Sequence, residues 1–172
     1  LTESRQQLSQ ALRENRVLLR TIDEQMLYSV TDLEGRIIEV NDNFCQVSGY
    51  RRDELLGHKH SIINSGQHPR EFWSNIWDHI SNGLPWRGEI CNRTQQGELY
   101  WVDSVIAPFL GDDGLPERYV SLRNDVTTGK LAEVELERVN VLLSNLLRSA
   151  TEFAIIATAP DGVIRVFNAG AE

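Results

Sequence analysis

Asn92 and Arg123 are polar residues set in apolar, alternating stretches, and they are where this chain could bind something. Alternation by two puts every second side chain of a strand on one face. Trp86, Gly88, Ile90 and Asn92 then share a face; so do Tyr100, Val102, Ser104, Ile106 and Pro108, and so do Tyr119, Ser121 and Arg123. If the Asn92 face points inward, Trp86, Ile90, Val102 and Ile106 line an apolar slot. Asn92 adds a donor and an acceptor to it, and Arg123 adds positive charge. An apolar slot with a few convergent polar groups is the usual build of a small-molecule site. Each residue also has a plainer reading. Trp86 could be core, Asn92 could cap a strand or face water, and Arg123 could pair with Asp103 or Glu89 across the sheet.

Other chemistry is thin. No G-x-S-x-G, H-E-x-x-H or phosphate-binding glycine loop occurs, so the chain is expected not to be an enzyme. His58 and His60 form an H-x-H pair with no cysteine or carboxylate cluster at ligand spacing, and both read as surface histidines. Cys45 and Cys91 are too few for a disulfide framework and read as reduced thiols of a cytoplasmic protein. A net charge of −8 disfavours nucleic acid or an anionic membrane as the main partner. No run of about 18 apolar residues is present to span a bilayer, and the first twenty residues are too polar for a signal peptide.

The elements that would hold the slot can be read from periodicity. Residues 1–25 lack Gly and Pro and place Leu8, Leu12, Leu19 and Ile22 on a heptad seam that is interrupted by Asn15 and continues in step to Met26. Residues 26–128 have a different texture. Tyr28–Asp32 and Arg36–Val40 read as strands about a Glu34-Gly35 turn, and Asn41 caps a short helix reaching Ser48. A helical turn is expected near Asp53–Leu56. Pro69 opens an amphipathic helix, Arg70–Ser81, carrying Phe72, Trp73, Ile76, Trp77 and Ile80. Trp86–Thr94, Leu99–Leu110 and Arg118–Val126 form an antiparallel meander with turns at Gly97 and Gly114. The fold class is α+β: a five-stranded antiparallel sheet with short helices on one face. Residues 129–151 form a second coiled-coil helix, with Ala132, Leu136, Val139, Leu143, Leu146 and Ala150 in its seam and Phe153 just beyond continuing the step. TDLEGRIIEVN at Thr31 recurs as TAPDGVIRVFN at Thr158, so residues 152–172 are expected to begin a second copy of the domain. The chain therefore reads as a piece of a longer protein.

The stretch TDLEGRIIEVNDNFCQVSGYRRDELLG and the exit YVSLRNDVT resemble a PAS domain with its signalling helix. PWRGEICNR followed by ELYWVDSVIAP narrows the resemblance to the FAD-binding, redox- and oxygen-sensing PAS domains typified by NifL, the aerotaxis receptor and MmoS. That resemblance implies FAD as cofactor. It implies Trp86, Ile90, Asn92, Val102, Ser121 and Arg123 around the isoalloxazine ring. Asn64, Ser65 and His68 would lie near the ribose, diphosphate or ring, although NSGQH could equally be a plain surface turn. Arg123 would oppose the negative charge of the reduced ring. Blue-light PAS domains carry an adduct-forming cysteine where Gly57–Gln67 has none. They also carry Asn and Gln where this chain has Val102 and Arg123. A heme ligand would fall near Phe72, with His68 and His79 the neighbouring histidines. The reading is a sensory module that forms a homodimer through its flanking helices and signals to a downstream output domain of the same chain. A cofactor-free interaction module is the alternative, and a heme or small-metabolite sensor another.

Overall fold

A computed structural model describes residues 24–150, 152 and 154–171, with isolated helical positions at 10, 13 and 20. The heptad seam expected over residues 1–25 falls mostly outside the described residues. The chain divides into two units, one ending at Thr127 and one beginning at Thr128.

The first unit is a five-stranded antiparallel sheet with helices over one face, as the alternation and turn chemistry imply. In chain order its elements are β1 (Leu27–Thr31), β2 (Ile37–Val40), α1 (Asp42–Ser48), α2 (Arg52–Leu55), a 3-10 turn (His60–Ile63), α3 (Arg70–Ser81), β3 (Trp86–Arg93), β4 (Leu99–Leu110) and β5 (Pro116–Asp125). The sheet order is β2-β1-β5-β4-β3, which puts the last strand, β5, at the centre between β1 and β4. Cross-strand pairs bring the expected faces together: Ile90 opposite Val102, Asn92 opposite Tyr100, Ser104 opposite Arg123, Ile106 opposite Ser121. β1 adds Leu27, Ser29 and Thr31 to that inner face through its pairing with β5.

One segment explains how a face becomes a cavity. Gly57 N–H donates to Ile37 O, Ile37 N–H to His58 O and His60 N–H to Gly35 O, so residues 57–60 cover the free edge of β2. Lys59 bridges Arg36, and only five residues later Asn64 bridges Asn92 at the free edge of β3. Five extended steps reach at most roughly 18 Å. Across a flat sheet those two positions would lie six strand spacings apart, roughly 29 Å. The sheet must therefore curl, and residues 57–64 strap its edges together. Both edges that could recruit another chain are occupied in this way.

Asn41 locks the start of the domain. Its Oδ1 accepts from Phe44 N–H, capping α1, and from Tyr28 N–H, both at 3.0 Å, while its Nδ2 donates to Met26 O at 2.8 Å. Asn41→Ala removes all three bonds and leaves the cap unfilled, so thermal unfolding should show a loss of about 1–2 kcal/mol.

The second unit comprises α4 (Thr127–Ser149) beyond its first residue and the hairpin β6 (Ile156–Thr158) and β7 (Ile164–Phe167). α4 buries none of its residues, and Leu136, Val139, Leu143 and Leu146 of the expected seam are exposed. The hairpin repeats β1–β2 pair for pair. Ser29–Val40, Val30–Glu39 and Thr31–Ile37 correspond to Ile156–Phe167, Ala157–Val166 and Thr158–Ile164, with the bulge in the same place. Asn168 repeats the Asn41 clamp: its Oδ1 accepts from Ile155 N–H, and its Nδ2 donates to Ala150 O.

Candidate functional site

Between the inner sheet face, the strap and α3 lies a cavity of about 420 Å³, within the roughly 300–1,000 Å³ usual for small-molecule sites. α3 contributes Trp73, Ile76, Trp77 and Ile80, the amphipathic face that its periodicity predicts. The sheet contributes Ile90, Asn92, Ile106, Tyr119, Ser121 and Arg123, and the strap contributes His60, Ser61 and Asn64. Glu34, Lys59, Ser61, Asn64 and Trp77 are the exposed lining residues and mark the open side. There Trp77 lies against Gly35, whose φ of +77° suits glycine, and a Cβ at Gly35 would meet the indole at 3.1 Å. Trp77 also meets the Tyr119 ring edge-on at 5.7 Å, so it ties α3 to the β1–β2 turn and to β5.

The polar groups collect on the sheet. Arg123 is 2% exposed, with Nη1 donating to Ser29 Oγ and Nη2 to His60 Nε2, each at 2.9 Å. The pairing with Asp103 or Glu89 weighed from sequence does not form: Asp103 takes Arg87, at 2.8 Å, and Arg123 stands opposite Ser104. Burial lowers the Arg123 pKa to about 10, so the guanidinium stays charged at neutral pH. Asn92 is 3% exposed. Its Nδ2, Arg123 Nε, Tyr100 Oη and Ser104 Oγ are buried without a hydrogen-bond partner. Buried polar atoms are nearly always satisfied, so four orphans on one face, two of them in cavity-lining residues, call for a partner that the protein itself does not supply.

His60 corrects the sequence reading. It is not a surface histidine: the strap turns it inward, half-buried, against Arg123 and edge-on to the Phe44 ring at 5.7 Å. A polar loop gives no local signal for this, because only the curl of the sheet decides which residue crosses above β1. His58 remains exposed. Burial first, and the Arg123 charge second, hold the His60 pKa well below its ordinary 6.5. Burial lowers His68 in the same direction. Both rings are therefore favoured neutral in the folded state. Their contribution to stability is complete above pH 6.5 and is lost as the pH falls below that value, because the unfolded chain then binds the protons first. Melting temperature should fall on acidification, and His60→Gln should flatten that fall.

The other expected site residues separate. Asn64 lies on the cavity wall, whereas Ser65, His68, Trp86 and Val102 do not line it. Ser65 Oγ donates to Cys91 O, His68 Nε2 accepts from Cys91 N–H, and Arg93 donates to Ser65 O, so this loop satisfies the free edge of β3. Trp86 packs beside Phe72 and donates its indole N–H to Asn75 Oδ1 at 3.1 Å. Val102 is fully buried and belongs to the hydrophobic core cluster. No histidine of α3 lines the cavity. Among the described residues no group of three metal-binding side chains occurs, and no helix is long and apolar enough to cross a membrane.

Residues 37–123 match the family model described as PAS fold. Over 136 residues the chain is 30% identical to a nitrogen fixation regulatory protein of Klebsiella oxytoca, covering 79% of this chain and 28% of that one. Over 113 residues it is 35% identical to the aerotaxis receptor of Escherichia coli, covering 66% of this chain and 22% of that one. The chain thus spans about a quarter of the length of these relatives. The crystal structure of a PAS domain from Colwellia psychrerythraea superposes with a TM-score of 0.60 at 22% identity, over 68% of this chain and 98% of that one.

Proposed function

Because the chain belongs to the PAS fold family, we propose that it is the sensory module of a longer signal-transduction protein, and that its cavity binds FAD and reports redox state or oxygen. The observation that carries this reading is the orphaned pair Asn92 Nδ2 and Arg123 Nε beside an otherwise apolar chamber. The residues present fit a flavin ring. Ile76, Ile80, Ile90 and Ile106 offer apolar contact, Asn92 offers a donor and an acceptor, and Arg123 offers positive charge. The names of the nitrogen fixation regulatory protein and the aerotaxis receptor add support for a sensory role. When bound, the flavin would supply reversible two-electron chemistry and negative charge on its pyrimidine side once reduced. Asn92 would orient that side. Arg123, poorly solvated and without a carboxylate partner, would favour the reduced state.

The path to output would run along β5. Two residues after Arg123, Asp125 Oδ1 accepts from Thr127 Oγ1 and Thr127 N–H, and Thr127 Oγ1 accepts from Trp101 N–H at 2.9 Å. This cluster fixes the start of α4 to the sheet, so a shift at Arg123 would bias α4 as a bistable element. The exposed seam of α4 would pair in a homodimer. The hairpin β6–β7, matching β1–β2 in register and clamp, would open a second PAS domain on the way to an output domain in the cytoplasm. The fragment itself would perform no catalysis and would contact neither nucleic acid nor membrane directly.

An absorbance spectrum of purified protein, before and after dithionite, tests the reading. Twin flavin bands that bleach on reduction are expected. Protein that is colourless and takes up no added FAD would make the chain a cofactor-free interaction module instead.

A further inference from the structure

Arg123 is a buried cation held only by neutral groups. Nη1 and Nη2 donate to Ser29 and His60, Nε has no partner, and among the described residues no carboxylate pairs with it. Guanidinium nitrogens can only donate. His60 Nε2 must therefore present a lone pair, which puts the ring proton on Nδ1. Ser29 Oγ, accepting from Arg123, lies 3.4 Å from the same Nε2, whose single lone pair is taken by Arg123. The groups facing the imidazole are Arg123 from β5, Ser29 from β1 and Phe44 from α1. On its own segment Lys59 and Ser61 are exposed. Tyr100 on β4 acts on Arg123 electrostatically, and burial raises its phenol, so it stays neutral.

We propose that His60 is a positioning residue for Arg123 and the proton-responsive part of this site: neutral, it tethers the guanidinium toward β1; protonated, it loses its acceptor and releases Arg123 to negative charge in the cavity. An Nε2–H facing Nη2–H is donor against donor and cation beside cation, so the tether cannot survive protonation. Negative charge in the cavity and protonation of His60 then favour each other by the same factor in both directions. Burial and Arg123 keep the empty site's imidazole neutral at ordinary pH, which leaves the proton to arrive with the ligand's charge. This deepens the flavin reading and rests on it. With a flavin bound and reduced by two electrons from an external reductant, His60 Nε2 would take one solvent proton beyond those the ring itself takes up.

His60→Gln separates the two roles, because its amide oxygen can still accept from Arg123 but does not titrate. In flavin-loaded protein, the wild-type midpoint potential should carry an extra acid-side slope of tenfold in the reduction equilibrium per pH unit, about 30 mV per unit for two electrons. His60→Gln should lack that slope and keep the wild-type potential at high pH. Superimposable pH profiles would overturn the proposal. Nitrogen NMR of the histidines in ligand-free full chain tests the geometry without flavin or variant. A neutral His60 ring with bare Nε2 is expected at neutral pH, and its titration should move upward in Arg123→Met. A proton on Nε2 at neutral pH, or a titration indifferent to Arg123, would equally overturn it. Protein that binds no flavin would sink the flavin reading, and the NMR arm would then decide the His60–Arg123 coupling alone.

Discussion

Arg123→Met should fold, resist urea at least as well as the wild type, and bind FAD about 10- to 100-fold more weakly. The two effects have opposite signs because the guanidinium is placed for a ligand rather than for the fold. Its charge is taken out of water with no counter-charge, a cost that a volume-matched apolar side chain does not carry. Removal does strip a donor from Ser29 Oγ and another from His60 Nε2. Those two atoms are 3.4 Å apart, however, and can turn to each other. The balance should leave unfolding free energy unchanged or raised by up to about 2 kcal/mol. Binding loses a charge-assisted hydrogen bond from Nε, worth about 1.5–3 kcal/mol, which is the source of the expected loss in affinity. Urea titrations and FAD titrations on the same preparations check both signs. A large loss of stability would mean that Arg123 serves the fold first, and that its unpaired Nε is a tolerated defect.

Much of the site could be read in the sequence because its signal is local. Alternation placed Ile90, Asn92, Ile106, Ser121 and Arg123 on one face, and burial confirms that face. Periodicity gives α3 as Arg70–Ser81 with an apolar face that includes Ile76 and Ile80, both buried, and the Asn41 cap sets the start of α1. Strand ends moved by one or two residues, as β5 did in starting at Pro116 rather than Arg118. What could not be read is non-local. Nothing near β1 says that it pairs with β5 nearly a hundred residues away, and that pairing is what brings Ser29 to Arg123. The strap has no period of its own, so the inward turn of His60 and the short 3-10 element were invisible. The same limit applies to Trp86. Alternation puts it on the inner face correctly, but only the end of β3 and the approach of α3 place it beside Phe72 instead of on the cavity wall.

Gly88→Val should destabilise the domain by about 3 kcal/mol, as overpacking at a closed site does. Strand propensity argues the other way, since Val is among the best strand residues and Gly among the worst, on a scale spanning about 1 kcal/mol. Packing decides the sign. A Cβ at Gly88 would lie 2.7 Å from Trp86 Cη2 and 2.8 Å from Cζ2. The indole cannot simply step aside: it is 9% exposed, its N–H is bonded to Asn75 Oδ1 and its ring is met edge-on by Phe72 at 5.6 Å. Displacing it exposes a large aromatic surface, breaks that hydrogen bond and loosens α3, which forms one wall of the cavity. The pairing of Trp and Gly two residues apart in PWRGEICNR is therefore one packing unit. Trp86→Ala alone should also be costly, by about 3–5 kcal/mol. In the double variant the new valine would occupy part of the space the indole leaves, so the two losses should fall well short of additive. Urea unfolding of the two single variants and the double variant reads that coupling directly. Strict additivity would mean that Gly88 is required for some reason other than the ring lying over it.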